Sequence, residues 1–343
     1  MNIVKQKWDF LNTLIPLVPK QAKNLFRFGY EVLVFREIKS LRANSRLASK
    51  PWHTAKMNIF RLTANRKVSD IFVSLLRHLS IITSESIIII DFSDFGNNFQ
   101  VLTFAVQTRK GRAIPIYFEI LRYPIKKGSQ NLFIISAIRN FTRITGFKPK
   151  LVFDRGFACP AIIRFLAKNQ YKFIIRVKKG KSIIDLETNS KFLACNSLHN
   201  DASVFVYDLK LRLIVSDSKA DLNEPWYLIT NDFLSSREKI IEQYYHRFEI
   251  EEFFRDAKRL LGMEYLNFKK SSSLSVILWF AILGMWFVLR LEEKMTEQQY
   301  KEKQMLRLST FRYYFEKIQK EIILAAEEAF MRQNSLELMY EKV

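Results

Sequence analysis

Cysteine is nearly missing from this chain: Cys159 and Cys195 are the only two in 343 residues. That excludes a disulfide framework and a Cys/His zinc site, and it fits a reducing compartment. Glycine (9) and proline (8) are also sparse, which excludes collagen-like and linker-rich architectures. Acidic charge is the third shortage, with 34 Asp plus Glu against 55 Lys plus Arg and a formal net charge of +21. Such a surplus points to a polyanionic partner, nucleic acid before an anionic membrane. The opening MNIVKQKWDF lacks the apolar stretch of a signal peptide, so a cytoplasmic location is expected. What is plentiful is ordinary: 48% hydrophobic and 26% charged residues exclude a disordered chain. The length suggests two or three structural units of ~100–200 residues.

The positive charge is uneven. Residues 1–80 hold fifteen Lys and Arg against Asp9, Glu31, Glu37 and Asp70, an excess of +11. From Glu292 onward nine bases face ten acids. The two ends are therefore expected to meet different partners. Ser271 to Leu289 carries no charge, but its strongly apolar part falls short of the ~20 residues of a membrane span. A buried core helix is the favoured reading and a membrane anchor the lesser one.

Residues 1–80 read as helical and basic. At SIIIID (86–91) the pattern changes to a short β-branched run, the mark of a buried strand. Two strand-like runs then flank Lys110-Gly111-Arg112, predicting a hairpin. Helical spacing follows over 130–145. KLVFD (150–154) is a strand, 160–168 a helix, and YKFIIRV (171–177) another strand. This order predicts a mixed sheet with helices packed on it. Residues 179–224 are polar with strand-like patches, an expected insertion. A further strand at 226–230 leads into one long helix over about 238–261.

Asp91 and Asp154 each close an apolar strand in this reading. Strand ends beside a connection are where ligands collect, and paired carboxylates suit hard cations such as Mg²⁺. Taken singly, each Asp serves equally well as a strand-to-loop cap. Asp94 is a rival ligand, less favoured because Asp91 lies directly on the strand end. On an ideal helix of ~100° per residue, Tyr244, Arg247, Glu251 and Lys258 share about a 60° arc. Their spacing also suits simple surface ion pairs. Glu249 and Glu252 fall elsewhere, and His246, on another face, is assigned no role. Three carboxylates with adjacent cations match a two-metal phosphoryl-transfer site. Arg, Lys and Tyr would hold phosphate oxygens.

These residues resemble the DDE transposases of bacterial insertion sequences, and more narrowly the insertion-sequence family numbered four. That family carries a Tyr-x2-Arg-x3-Glu-x6-Lys signature, here YYHRFEIEEFFRDAK with Tyr244, Arg247, Glu251 and Lys258. IIIIDFSDFG supplies Asp91, and VFDRGFACP supplies Asp154, Gly156 and Phe157. The resemblance runs from about residue 85 to 291. It implies an α/β fold: a ribonuclease-H-like mixed sheet over 85–291 with a β-rich insertion at about 179–224. A helical, basic DNA-binding region (1–80) precedes it and a helical tail (292–343), offered as a dimer contact, follows.

The resemblance further implies cut-and-paste DNA transposition. Its steps are nicking at terminal inverted repeats, a DNA hairpin in related enzymes, and strand transfer into target DNA. Asp91, Asp154 and Glu251 would be the catalytic residues, holding two Mg²⁺ ions, with Mn²⁺ as a substitute. The partners are double-stranded DNA, both transposon ends and target, and a second copy in a paired-end homodimer, with no membrane. Tyr244, Arg247 and Lys258 would clamp phosphates. Arg155 and the KKGK run at 178–181 are candidates to contact the DNA backbone, although such a charge run also reads as a solvated surface. Trp226 is a candidate to stack on a flipped base, although a Trp opening a strand also reads as core. The competing function is a catalytically silent DNA-binding protein derived from a transposase.

Overall fold

The computed structural model describes residues 3–34, 52–64, 68–79, 81–108, 111–126, 128–217, 224–259, 261–263, 268–306, 312–321 and 324. The expected hairpin residue Lys110, the basic Arg36, Lys39, Arg42, Arg46, Lys50, Arg66 and Lys67, and the tail beyond 324 lie outside the described residues. The chain divides into two compact units, 76–255 and a second one formed by 1–75 with 256–343.

The unit of residues 76–255 is a mixed α/β structure around one ten-stranded sheet, ordered β3-β2-β1-β4-β5-β10-β9-β8-β6-β7. β1 (Ile87–Phe95), β2 (Phe99–Val106) and β3 (Ile114–Arg122) form an antiparallel meander. β1 then pairs in parallel with β4 (Lys150–Phe153), and β4 with β5 (Phe173–Val177). Ile88, Ile89 and Ile90 are fully buried. This is why the sequence reads IIII: a strand covered on both faces loses its polar alternation. Helix α5 (Ser129–Thr145) connects β3 to β4, and α6 (Pro160–Lys168) connects β4 to β5.

The insertion supplies β6 (Ser182–Asp185), β7 (Lys191–Leu193), β8 (Asp201–Val206) and β9 (Leu209–Val215). These strands do not form a separate module. β9 pairs with β10 (Tyr227–Thr230), and β10 pairs antiparallel with β5, so the insertion extends the core sheet. The β8–β9 turn places Tyr207 and Asp208 at positive φ (55° and 63°), the left-handed pair that a tight hairpin demands. Below the sheet, Val152, Ile174, Ile214, Trp226, Leu228, Ile240 and Tyr244 close one apolar cluster.

The single helix expected over 238–261 is interrupted. Helix α7 (Arg237–Tyr245) gives way to a 3-10 turn (His246–Phe248), and α8 (Glu249–Arg259) resumes. α7 starts on a side-chain cap, Ser236 accepting from the Lys239 amide.

The second unit is helical among its described residues: α1 (Ile3–Leu14), α2 (Lys23–Leu33), α3 (Trp52–Ala64), α4 (Val68–His78, whose last residues fall past the division), α9 (Ser271–Glu292) and α10 (Glu297–Met305). α9 is the charge-free segment, and 83% of its most apolar window is buried. Phe72 stacks on Trp279 at 5.0 Å between ring centroids, and Phe26 meets Phe280 at 5.5 Å. Gly29 permits this contact, because a Cβ there would lie 2.4 Å from the Phe280 ring.

Candidate active site

The register of β1 against β4 builds half of the site. Ile90 pairs with Phe153, the last matched pair of that parallel ladder. Asp91 and Asp154 are the next residue on each chain, side by side on neighbours ~4.8 Å apart. Asp91 does not end its strand as expected. β1 continues to Phe95, with Asp91 opposite Thr103 of β2. What ends at Asp91 is the parallel pairing, which leaves room for the two carboxylates. Asp94 is exposed and occupied elsewhere, accepting from Tyr123 Oη (2.9 Å) and Gln100 Nε2 (3.3 Å).

The helical segment supplies the other half. Tyr244 is held by the apolar cluster, its ring edge-on to Trp226 at 5.0 Å, and its hydroxyl donates to Asp154 Oδ1 at 3.2 Å. Arg247 lies in the 3-10 turn, with its guanidinium over the Phe248 ring at 4.4 Å. One terminal nitrogen meets Asp91 Oδ2 at 3.3 Å and the other Glu251 Oε1 at 3.1 Å. The Arg247 side chain is 5% exposed, that of Glu251 54%. Arg247 Nε is buried without a hydrogen-bond partner among the described residues.

Charge in this crevice is finely opposed. Burial pushes the Asp91 carboxyl up to about 6; Arg247 and the Phe92 amide pull it down, and Asp154 and Glu251 push it further up. Burial likewise raises the Tyr244 phenol, with Asp154 adding to the rise against the pull of Arg247, so it stays protonated and donates. Burial opposes the charge on Arg247, but Tyr244, Asp154, Asp91 and Glu251 surround it and hold its pKa above the ordinary value. All three acids thus act on one guanidinium.

Three carboxylates are hard oxygen donors of the kind a divalent ion takes, and Asp154 and Glu251 add only a little to the rise that burial gives Asp91. Asp91 and Glu251 converge on Arg247, while Asp154 accepts from Tyr244. Among the described residues no three His, Cys, Asp or Glu side chains are grouped to hold a metal ion.

The remaining sequence candidates are dispersed. Arg155 is exposed in the short turn after Asp154. Lys258 lies in the last turn of α8, in the other compact unit. Lys179 pairs with Glu224 at 3.4 Å, and Lys181 lies 3.7 Å over the Tyr207 ring. Trp226 is 2% exposed. Its indole packs on Tyr244, Tyr245 (6.3 Å) and Phe248 (5.8 Å), so core packing takes up the ring that base stacking would need uncovered.

Sequence reasoning missed Glu249 and His246. Glu249 accepts from the amides of Thr108 (3.1 Å) and Gly111 (3.2 Å) and from His246 Nδ1 (2.9 Å). Helical phase had placed both residues away from the arc, and only the 3-10 turn turns them toward the β2–β3 connection.

No curated protein matches this chain. Among solved structures it is similar to Argonaute of Marinitoga piezophila in complex with 5′ OH guide RNA and target DNA, at 16% identity and a TM-score of 0.25, covering 60% of this chain and 30% of that one. It is also similar to A. aeolicus Argonaute, at 11% identity and a TM-score of 0.26, covering 64% and 38%. The chain spans about a third of the length of these structures. Residues 132–287, a stretch that includes Asp154, Tyr244, Arg247, Glu251 and Lys258, match the family described as the transposase DDE domain, and this match supports a DDE transposase.

Proposed function

We propose that this protein is a cut-and-paste DNA transposase that cleaves and joins DNA strands by metal-dependent phosphoryl transfer. One observation carries the reading: a single guanidinium, Arg247, meets Asp91 at 3.3 Å and Glu251 at 3.1 Å across 160 positions of sequence, while Tyr244 binds Asp154 at 3.2 Å. Surface ion pairing needs no such convergence of three separate motifs. The strand order β3-β2-β1-β4-β5, a meander joined to two parallel strands, supports a ribonuclease-H-like core.

In this reading Asp91, Asp154 and Glu251 would hold two Mg²⁺ ions, or Mn²⁺. When bound, such ions activate the attacking oxygen and stabilise the leaving one. Arg247 neutralises two of the acids. Tyr244, protonated, orients Asp154. Lys258 and Arg155 serve as backbone contacts, and Trp226 supports Tyr244 from beneath. The N-terminal excess of +11 supplies affinity for transposon ends and target duplex, with steep salt dependence. A hairpin intermediate, strand transfer, a homodimeric paired-end complex and a cytoplasmic, nucleoid-associated location complete the proposal.

The test is incubation of the full chain with end-containing duplex and Mg²⁺, alongside Asp154→Ala. Nicking by the wild type alone is expected. Binding by both proteins with nicking by neither would leave the alternative, a catalytically silent DNA-binding protein.

A further inference from the structure

Glu249 is a carboxylate with a side chain only 5% exposed, a costly placement unless every oxygen is partnered. Here the partners are complete. Oε2 accepts from the Thr108 amide (3.1 Å), and Oε1 from the Gly111 amide (3.2 Å) and His246 Nδ1 (2.9 Å). Its backbone carbonyl accepts from the Ala113 amide at 3.1 Å. As the first residue of α8, its charge also faces the positive end of that helix. These contacts bind the start of α8 to the connection between β2 and β3.

The same connection is tied a second time, six residues earlier. Gln107 Nε2 donates to the Gln243 carbonyl at 2.6 Å, and Gln243 Oε1 accepts from Lys150 Nζ, at the start of β4, at 2.9 Å. Between the two anchors lie Tyr244 and Arg247. The backbone there passes through a 3-10 turn, a geometry with weaker internal hydrogen bonds than the helices on either side.

We propose that Glu249 is a positioning residue: by clamping the β2–β3 connection to the start of α8, it sets the 246–248 turn so that the Arg247 guanidinium meets both Asp91 and Glu251. The effect on rate rests on the cleavage reading above; the effect on Arg247 does not. Glu249 touches none of the three acids. Its influence on them would pass through the turn that carries Arg247, and a readout at the Arg247 guanidinium separates this from general support of the fold.

The experiment is a double-mutant cycle in the full chain, Glu249→Ala with Arg247→Ala, read by metal-dependent nicking of end-containing duplex. It is paired with hydrogen exchange at the Arg247 guanidinium and at the Thr108, Gly111 and Ala113 amides. Alone, Glu249→Ala is expected to slow nicking about 10²-fold, the scale of a 1 Å misplacement. In the Arg247→Ala background it should cost less than about threefold, because contacts acting in series are not additive. Guanidinium exchange should quicken at least roughly tenfold as the local hold is lost.

Equal losses in both backgrounds, or unchanged guanidinium exchange, would overturn the proposal. If Glu249→Ala does not fold, Glu249→Gln carries the same cycle, since one carbonyl oxygen preserves part of the clamp and an intermediate loss is expected. Wild-type protein that binds end DNA without nicking it would defeat the cleavage reading alone, and the exchange measurement would still decide the positioning role.

Discussion

Asp91 and Asp154 are brought together by a backbone ladder, whereas Tyr244, Arg247 and Glu251 are brought to them by side chains. The first pair depends on the match of Ile90 with Phe153. Register is all-or-none, because a one-residue slip turns every side chain to the opposite face. The second group depends on an apolar cluster around Trp226 and on ion pairs at 3.1 and 3.3 Å. Such contacts weaken by degrees. Substitutions should therefore leave the aspartates in place and remove their chemistry, but shift the helical residues by graded amounts.

The sharpest test of the ladder-held pair is Asp154→Ala. Nicking should fall on the order of 10³-fold, the scale of losing a group that acts in the transition state, with a melting temperature close to that of the wild type. A large loss of stability would show that the pair is structural. Next in size is the opposite end of β4, where Lys150 Nζ meets Asp232 at 2.5 Å. Burial alone would raise the Asp232 carboxyl. Hydrogen bonds from Lys150, Ser235 and the Leu234 and Ser235 amides outweigh it and hold the carboxyl well below the usual range. Asp232→Asn should cost about 3 kcal/mol, as breaking a buried pair does, in urea unfolding at pH 7. Because the folded pKa is depressed, that stabilisation is present above about pH 4 and lost as pH falls further.

Asp91 shifts the other way. Its carboxyl is raised to about 6 in the folded protein, so its contribution to stability is present below about pH 4 and lost as pH rises through 6. The swing is on the order of 3 kcal/mol at 1.36 kcal/mol per pH unit. Metal-free unfolding measured from pH 4 to 7 should show it, and Asp91→Asn should flatten it. The smallest effect is expected from Tyr244→Phe, which keeps the ring in its cluster and removes one hydrogen bond, about 1 kcal/mol. If nicking falls much further than stability does, the phenol acts on Asp154 and not merely on the core.

Most of the fold was legible in the sequence because burial writes itself into composition. The β-branched run before Asp91, the apolar segment of α9 and the strand–helix alternation after residue 150 each announce an element. The contacts of Asp91 and Glu251 with Arg247, and of Asp154 with Tyr244, join residues that the motif spacing had already singled out. The interruption at 246–248 was not legible. Three residues at ~120° in place of ~100° add about 60° of rotation, which carries Glu251 outward and Glu249 inward relative to an ideal helix. No residue in HRF forbids helix, and the contacts that Arg247, Phe248 and Glu249 make here join residues far apart in the sequence. Trp226 was ambiguous for a related reason: an aromatic ring opening a strand looks the same in sequence whether its face is covered or open.

The joining of insertion and core into a single ten-stranded sheet leaves just two margins, β3 and β7. β7 is three residues long and begins with an exposed lysine. β3 carries Pro115 where its register against β2 shifts, and proline offers no amide to an incoming strand. Both rims are thereby less open to the addition of another strand.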